Sequence, residues 1–331
     1  MNNKSRSLVA FICGTLHLTG GTLNHYLYAC ALRKYKNISS LFLLENSNIS
    51  HDASALESLQ KEFPILTYHR DSLIADLTAI YKTREVKIFY YVTQGYNDPL
   101  SLLFRSTTLP FAVHVTGVSN DQWGSRYAYV SEWMANHCSK GVVPFVPHIV
   151  ELPDSSESFR NQLNIPVEDV VVGRIGGNYS WNIHFVNQII TDAVMMREDL
   201  QFILFNVPFY HQYFKHPRIK IFGMFPFDLT LKRKLINTCD AMIHARSEGE
   251  SFGFAPAEFS ICNKPIITYR HSTEQAHLHM LGKYAVTYDS PETLLSIFLT
   301  IGHGQRVNWN RYSAFNSRDV IEKFCAVFYN D

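Results

Sequence analysis

The stretch that decides the fold reads Ala245-Arg-Ser-Glu-Gly-Glu-Ser-Phe-Gly-Phe-Ala-Pro-Ala-Glu-Phe-Ser-Ile-Cys-Asn-Lys-Pro-Ile-Ile267. It begins at the end of an apolar strand and continues into a loop that contains glycine. The pattern then predicts a helix that begins near Pro256 and ends at Asn263, because proline suits the first helical turn and asparagine can adopt the left-handed conformation that ends a helix. A strand at Pro265–Thr268 follows. Strand, loop, helix and strand in this order are typical of a parallel α/β sheet.

Two carboxylates lie eight residues apart in this stretch, Glu250 in the loop and Glu258 on the predicted helix. Between them, the backbone amides of Phe252, Gly253 and Phe254 can point at a phosphate, because the start of a helix favours an anion. Carboxylates accept hydrogen bonds from hydroxyl groups. The combination is therefore suited to a sugar that is linked to a phosphate.

The whole chain repeats the alternation of short apolar strands and helices, which indicates βαβ units and parallel sheets. Its 331 residues suffice for two domains of about 150 residues each. A proline-rich, polar stretch has the composition of a linker. We therefore predict an N-terminal Rossmann-like domain, a linker, a C-terminal Rossmann-like domain and a terminal helix that packs back on the first domain, at residues 1–147, 148–167, 168–310 and 311–331.

Composition excludes several classes of protein. Lys plus Arg number 30 and Asp plus Glu number 29, so the chain lacks the basic excess of a nucleic-acid-binding protein. The tightest basic cluster, Lys232-Arg-Lys234, reads as a solvated helix face. The six cysteines include no C-x-x-C pair, and no apolar run approaches the ~20 residues of a transmembrane helix. The apolar run Leu8–Cys13 reads as a first buried strand rather than a signal peptide, and we expect a cytoplasmic protein, either free or peripheral at a membrane.

A second glycine-bearing loop runs from Gly14 to Thr22 and leads directly into a predicted helix. Gly20 and Gly21 would let the backbone approach a ligand closely at a helix start, and His17 lies just before them. The loop matches neither the G-x-G-x-x-G pattern of dinucleotide-binding oxidoreductases nor a P-loop, which argues against both classes. A plain strand-to-helix turn remains the alternative.

The segment Glu250-Ser-Phe-Gly-Phe-Ala-Pro-Ala-Glu258 resembles the E-x7-E motif of retaining GT-B glycosyltransferases, most closely family 4. In that family a helix and then Gly-Lys-Pro-[VI]-I follow, and Asn263-Lys-Pro-Ile-Ile267 matches with Asn in place of Gly. The preceding strand, Cys239–Ala245, resembles the strand that precedes the family's motif. In length, domain pattern and motif order the resemblance extends over nearly the whole chain, and it implies an α/β GT-B fold in which two Rossmann-like domains face a cleft.

The resemblance also implies roles for individual residues. Glu258 would bind the nucleotide ribose and Glu250 the hydroxyls of the donor sugar. Arg174, in a Val-Gly-Arg-Ile segment that resembles the family's V-G-R-L, would hold the diphosphate, and His114 would contact the donor or the acceptor. The donor-binding residues would be Gly20, Gly21, Arg174, Glu250, Ser251, Phe252, Gly253, Phe254 and Glu258, with Arg174, Glu250 and His114 as the catalytic ones.

Two residue patterns that the sequence lacks define the expected chemistry. The family usually has a lysine a few residues after the arginine, whereas no lysine occurs here between Arg174 and Lys215. Stabilisation of the leaving group would therefore rest on Arg174 and the loop amides. The chain also contains no Asp-x-Asp pair, which metal-dependent glycosyltransferases of the GT-A type use to hold Mn²⁺ or Mg²⁺ on the diphosphate. We expect no bound metal and no cofactor besides the donor substrate.

These observations predict a metal-independent, retaining hexosyltransferase. Its donor would be a UDP- or GDP-sugar and its acceptor a hydroxyl of a glycan. Two alternatives remain open: a nucleotide-sugar-binding module without catalytic activity, and a GT-B enzyme of another reaction class such as a nucleotide-sugar epimerase.

Overall fold

The computed structural model describes residues 7–16, 20–46, 51–95, 98–177, 179–207, 216–302 and 307–330. The chain forms two compact units, Met1–Ile149 with Ala314–Asp331 and Val150–Ser313. It therefore leaves the first unit after Ile149 and returns to it at Ala314. The stretch that the sequence analysis assigns to a linker, 148–167, lies almost entirely in the second unit and contains no strand and no α-helix.

A six-stranded parallel sheet forms the centre of the first unit, in the order β3-β2-β1-β4-β5-β6. The side chains of β2 and β5 are buried along their whole length. A sheet covered by helices on both faces requires such continuous apolar strands, which explains the runs in the sequence. The strands are β1 (Leu8–Gly14), β2 (Ser40–Glu45), β3 (Ile65–Tyr68), β4 (Val86–Thr93), β5 (Phe111–Val115) and β6 (Arg126–Tyr129).

Side-chain caps define where several helices of the first unit begin. Asp52, Asp98 and Ser131 each accept a hydrogen bond from a backbone N–H of the following helix, which satisfies a donor that has no partner within the helix. The helices are α1 (Gly20–Ala31), α2 (Ala53–Glu62), α3 (Leu73–Thr83), α4 (Pro99–Arg105) and α5 (Glu132–Ser139).

The second unit contains another six-stranded parallel sheet, in the order β14-β12-β10-β7-β8-β9. A separate pair of two-residue strands, β11 and β13, lies outside it. The strands are β7 (Val170–Arg174), β8 (Leu200–Phe205), β9 (Ile219–Phe222), β10 (Ala241–His244), β11 (Gly249–Glu250), β12 (Ile266–Tyr269), β13 (Glu274–Gln275) and β14 (Val286–Tyr288).

Helices pack on this second sheet and build its core. Phe298 meets Phe202 of β8 edge to face, with ring centroids 5.0 Å apart. Aromatic side chains of this size dominate the burial of apolar surface that stabilises a core. The helices are α6 (Phe185–Met196), α7 (Leu229–Thr238), α8 (Phe254–Ile261), α9 (Ala276–Leu281) and α10 (Pro291–Thr300).

The last helix, α11 (Ser317–Phe324), belongs to the first unit. The ring of Phe324 lies 4.8 Å from that of Tyr28 on α1, and Glu322 pairs with Lys36 at 2.6 Å. Burial of these aromatic side chains holds the C-terminal segment on the first unit.

The predicted α/β alternation is confirmed, and the differences are local. The sequence analysis gives no strand at Arg126–Tyr129 or Val286–Tyr288, because these segments are only four and three residues long and partly polar. The helix predicted to begin near Pro256 begins at Phe254, so that Pro256 occupies its first turn. Asn263 adopts the left-handed conformation expected of it, with φ of 59°.

Candidate functional site

The loop between β10 and α8 depends on two glycines with positive φ. Gly249 has φ of 76°, and a Cβ there would lie 2.0 Å from the carbonyl oxygen of Glu274. Gly253 has φ of 88°, and a Cβ there would lie 3.2 Å from Cβ of His277 and 3.3 Å from Cβ of Glu250. Only glycine combines this conformation with such close approach. The loop therefore carries Glu250 against the segment that begins α9.

Helix α8 begins directly after this loop, with Gly253 at the N-cap position and no side chain as its cap. The start of a helix has a partial positive charge because its first N–H groups lack partners within the helix. The predicted phosphate-binding segment Ser251–Phe254 lies at this point of the chain. A phosphate there would be stabilised by the helix dipole.

The carboxylate of Glu250 contacts two basic side chains. Its Oε1 lies 3.0 Å from Nε2 of His244, the last residue of β10, and its Oε2 lies 3.4 Å from a terminal nitrogen of Arg246. The Glu250 side chain is 20% exposed and that of Arg246 is 33% exposed. Both contacts leave the carboxylate partly open to solvent, where it can accept further hydrogen bonds.

Glu258 lies on α8 and forms a buried ion pair. Its Oε1 is 2.7 Å from Nζ of Lys232 on α7, and the exposed fractions of the two side chains are 5% and 16%. Opposite charges at this distance attract each other, and the attraction is stronger where the side chains are shielded from water. The pair therefore joins α7 to α8 at Glu258, four residues into the helix from Phe254.

The guanidinium of Arg174 is occupied by the protein itself. Nη1 donates to the carbonyl oxygens of Phe205 and Asn206, and Nη2 donates to the carbonyl oxygen of Gly177 and to Oγ of Ser180. The residue is 2% exposed, and burial lowers the pKa of Arg174 to about 10, opposed by the nearby charge of Glu250. These bonds organise the loop after β7. Its contact with a diphosphate stays a prediction.

His114 is fully buried in the first unit. Its Nδ1 lies 2.5 Å from the hydroxyl of Tyr90 and its Nε2 lies 2.8 Å from the carbonyl oxygen of Val146, so that Nε2 carries the proton. Burial lowers the pKa of His114 to about 3. Because both ring nitrogens have partners in the protein, its surroundings give no support to the predicted contact with donor or acceptor.

Gly20 and Gly21 form the beginning of α1. They thus lie at a helix start, as the sequence predicts. His17, which the sequence places beside them, lies outside the described residues.

Among the described residues, no group of three or more His, Cys, Asp or Glu side chains has an arrangement that could hold a metal ion. No helix in the same part of the chain is long and apolar enough to cross a bilayer.

No protein-family model matches this sequence, and no curated protein does either. Solved structures, however, match over nearly its whole length. A glycosyltransferase from Rickettsia africae matches with a TM-score of 0.69 at 14% identity, over 98% of each chain. HepE from Anabaena, in complex with UDP and glucose, matches with a TM-score of 0.67 at 14% identity, over 96% of this chain and 95% of that one. The chain has the GT-B fold.

The GT-B fold also occurs in a neighbour of another reaction class. A UDP-N-acetylglucosamine 2-epimerase structure from Listeria monocytogenes matches with a TM-score of 0.62 at 12% identity, over 97% of this chain and 95% of that one. At these identities the likeness concerns the fold alone. The reaction must be argued from the residues.

Sequence reasoning missed the partners of the two glutamates. The interpretation of Lys232 as part of a solvated face is wrong, because its side chain is largely buried against Glu258. His244 and Arg246 lie in the quoted strand and loop, but no local pattern shows that they reach Glu250. A basic residue in the helix before the motif strand is the one signal that could have suggested such a pair.

Proposed function

We propose that this chain is a metal-independent, retaining glycosyltransferase that moves a hexose from a UDP- or GDP-sugar to a hydroxyl of a glycan acceptor. One arrangement carries the proposal. In the second unit of a GT-B fold, a glycine-dependent loop carries Glu250 to the start of α8, and the same helix carries Glu258. One carboxylate thus precedes the start of α8 in the chain and the other follows it. The helix start favours an anion, and each carboxylate can accept hydrogen bonds from sugar hydroxyls, as a nucleoside-diphosphate sugar requires.

In the proposed complex, Glu258 accepts hydrogen bonds from the ribose and Glu250 accepts them from the donor sugar. The diphosphate lies at the start of α8, where the helix dipole stabilises the charge that develops as the sugar departs with oxocarbenium character. Neither glutamate needs to act as a nucleophile. By resemblance to family 4, the departing phosphate oxygen takes the proton of the acceptor hydroxyl on the same face of the sugar.

A cation beside Glu250 adds to this stabilisation. Arg246 lies 3.4 Å from Glu250 and 3.7 Å from Glu248, so neither ion pair is short. An arginine with such incomplete pairing can turn its planar guanidinium to a diphosphate when the donor binds. Arg246 would then supply positive charge that the missing lysine provides in the family.

We assign the acceptor to the first unit and the donor to the second, on the resemblance to family 4. Gly20 and Gly21 lie at the start of α1 in the first unit, and their predicted backbone contact with the donor stays a prediction. For a catalytic role, His114 would have to give up its hydrogen bond with Tyr90 or with Val146 and form one with the substrate instead.

A thermal-shift screen with UDP, GDP, ADP and their sugars tests the proposal first. A ligand at 100 times its dissociation constant adds about 2.7 kcal/mol to the free energy of unfolding. We expect one nucleotide and its sugar to stabilise the protein, and we expect release of the nucleoside diphosphate to require a glycan acceptor. A protein that binds no nucleotide in this screen would contradict the proposal.

An epimerase is the second candidate, favoured by the likeness in fold to the Listeria structure. Such an enzyme would convert the donor sugar without releasing nucleoside diphosphate in proportion to an acceptor. A product analysis by NMR of the sugar ring distinguishes the two reactions. Binding without any conversion would instead support the non-catalytic module.

A further inference from the structure

A line of four polar side chains runs into the second unit from Glu250. Its Oε1 lies 3.0 Å from Nε2 of His244, and Nδ1 of His244 lies 2.9 Å from Oγ1 of Thr268. Oγ1 of Thr268 in turn lies 3.0 Å from Nε2 of His277. The parallel pairing of β10 with β12 sets His244 directly beside Thr268, and α9 supplies His277.

For a His244 ring that carries one proton, the chemistry of these groups sets the direction of each hydrogen bond. A carboxylate only accepts, so Nε2 of His244 donates to Glu250. With that single proton on Nε2, Nδ1 accepts, and the hydroxyl of Thr268 is its donor. The oxygen of that hydroxyl therefore accepts from Nε2 of His277. Both histidines are predicted to carry their proton on Nε2.

The line ends at a buried atom. Nδ1 of His277 has no hydrogen-bond partner in the structure, and the side chain is fully buried. Burial, assisted by the positive charge of Arg246, lowers the pKa of His277 well below its ordinary value, so the ring is neutral at pH 7. Burying an acceptor without a partner is unfavourable. The single hydrogen bond of the ring, from Nε2–H to Thr268, is therefore the contact that fixes its orientation.

The two oxygens of Glu250 consequently have different environments. Oε1 is bonded at 3.0 Å to a buried histidine, whereas Oε2 contacts the partly exposed Arg246 at 3.4 Å. Gly253 packs between Cβ of Glu250 and Cβ of His277, so both ends of the line lie against the start of α8. Oε1 thus has a buried partner, and Oε2 has a partly exposed one.

We propose that His244, Thr268 and His277 form a hydrogen-bonded relay that fixes Oε1 of Glu250 and presents Oε2 to a hydroxyl of the donor sugar. The inference rests on the proposed function for the ligand, but the relay itself does not. The three relay residues are positioning residues, because they act through Glu250.

The relay is tested without ligand by ¹H–¹⁵N NMR of the histidine rings at neutral pH, assigned with His244→Gln and His277→Gln. We expect each ring to carry its proton on Nε2. Thr268→Val should change the ring signals of His244, and Thr268→Ser should restore them. Thr238→Val is the matched control, because Thr238 is a fully buried threonine whose hydroxyl bonds lie elsewhere in the unit. A proton on Nδ1 of His244 in the wild-type protein would overturn the relay.

Its role is tested with the nucleotide and nucleotide sugar that stabilise the wild-type protein most, beginning with UDP and UDP-glucose. We expect Thr268→Val to weaken binding of the nucleotide sugar roughly fivefold to tenfold, the scale of one hydrogen bond, and to leave nucleotide binding unchanged. Thr268→Ser and Thr238→Val should behave like wild type. Equal weakening of both ligands, or of neither, would contradict the inference. A wild-type protein that binds no nucleotide would instead refute the proposed function, while the NMR result still decides the relay.

Discussion

Nζ of Lys232 lies 2.7 Å from Oε1 of Glu258, and this ion pair joins α7 to α8 with both side chains largely buried. If Glu258 binds a ribose, Glu258→Gln should weaken nucleotide binding by roughly 1.5–3 kcal/mol, the scale of a hydrogen bond to a charged group. The variant also leaves the lysine charge without its partner. The double variant Glu258→Gln with Lys232→Met removes that charge and should retain the loss of affinity.

Isothermal titration of the best nucleotide measures this effect. Lys234→Met is the matched control, because Lys234 lies on the same helix and pairs with the more exposed Glu157 instead. Folding of each variant is checked by thermal unfolding. Wild-type nucleotide affinity in a folded Glu258→Gln protein would remove this glutamate from the site.

Turnover should persist in excess EDTA. The sequence has no Asp-x-Asp pair, and the described residues contain no group of three or more potential ligands that could hold a metal ion. The donor diphosphate would therefore be stabilised by the start of α8 and by cationic side chains. The measurement is nucleotide release with and without EDTA. Complete loss that Mn²⁺ restores would overturn the proposed metal independence.

The buried neutral His114 should make folding stability depend on pH. Its pKa is lowered to about 3 in the folded protein, whereas the unfolded chain binds the proton near pH 6.5. The unfolded state therefore holds more protons between these values, and stability falls as the pH drops below 6.5. Between pH 7 and pH 5 we expect this histidine to account for about 2 kcal/mol of that fall.

Urea unfolding of wild type and His114→Gln at pH 7 and pH 5 measures this contribution. The variant should lose less free energy of unfolding between the two pH values. His137→Gln makes the same replacement at an exposed histidine and controls for the substitution itself. An identical pH dependence for wild type and His114→Gln would show that His114 does not titrate as the structure indicates.

The fold could be predicted because its signals are local. A continuous apolar run indicates a buried strand within its own segment. The glycine, proline and asparagine around α8 likewise affect the backbone only where they stand. The start of α8 differs from the prediction because Pro256 is tolerated anywhere in the first turn, where its missing N–H costs no helical hydrogen bond. Short strands such as β14 have too few residues to show a pattern.

The environment of the site could not be predicted in the same way. Lys232 reaches Glu258 from the preceding helix, and Thr268 reaches His244 through the register of neighbouring strands. Such contacts depend on how elements pack, which no single segment encodes. Arg174 is the clearest case. The motif gives its position at the end of β7, whereas its partners come from the loop that follows it and from the end of β8, up to 32 residues away.

The hydrogen bonds of the Arg174 guanidinium give this residue a structural role that the sequence resemblance does not show. Replacing it by alanine removes the guanidinium donors to the part-buried carbonyl oxygens of Phe205 and Asn206. We expect Arg174→Ala to lower the free energy of unfolding by roughly 2–4 kcal/mol. Arg174→Lys should recover part of this stability, because an ammonium cannot span the bonds of a planar guanidinium.

If Arg174 also holds the diphosphate, turnover must fall further than the loss of stability explains. Loss of one preorganised donor to a developing anion costs ~10²–10³ in rate. Turnover is measured at saturating donor and at a temperature where each variant is folded, for wild type, Arg174→Ala and Arg174→Lys. Ser180→Ala is the matched control, because it removes one partner of the guanidinium and keeps its charge. A large loss for alanine, partial recovery for lysine and near wild-type turnover for Ser180→Ala would establish the cation at the leaving group. Equal turnover in all folded variants would show that Arg174 only organises its loop and that the diphosphate is held elsewhere.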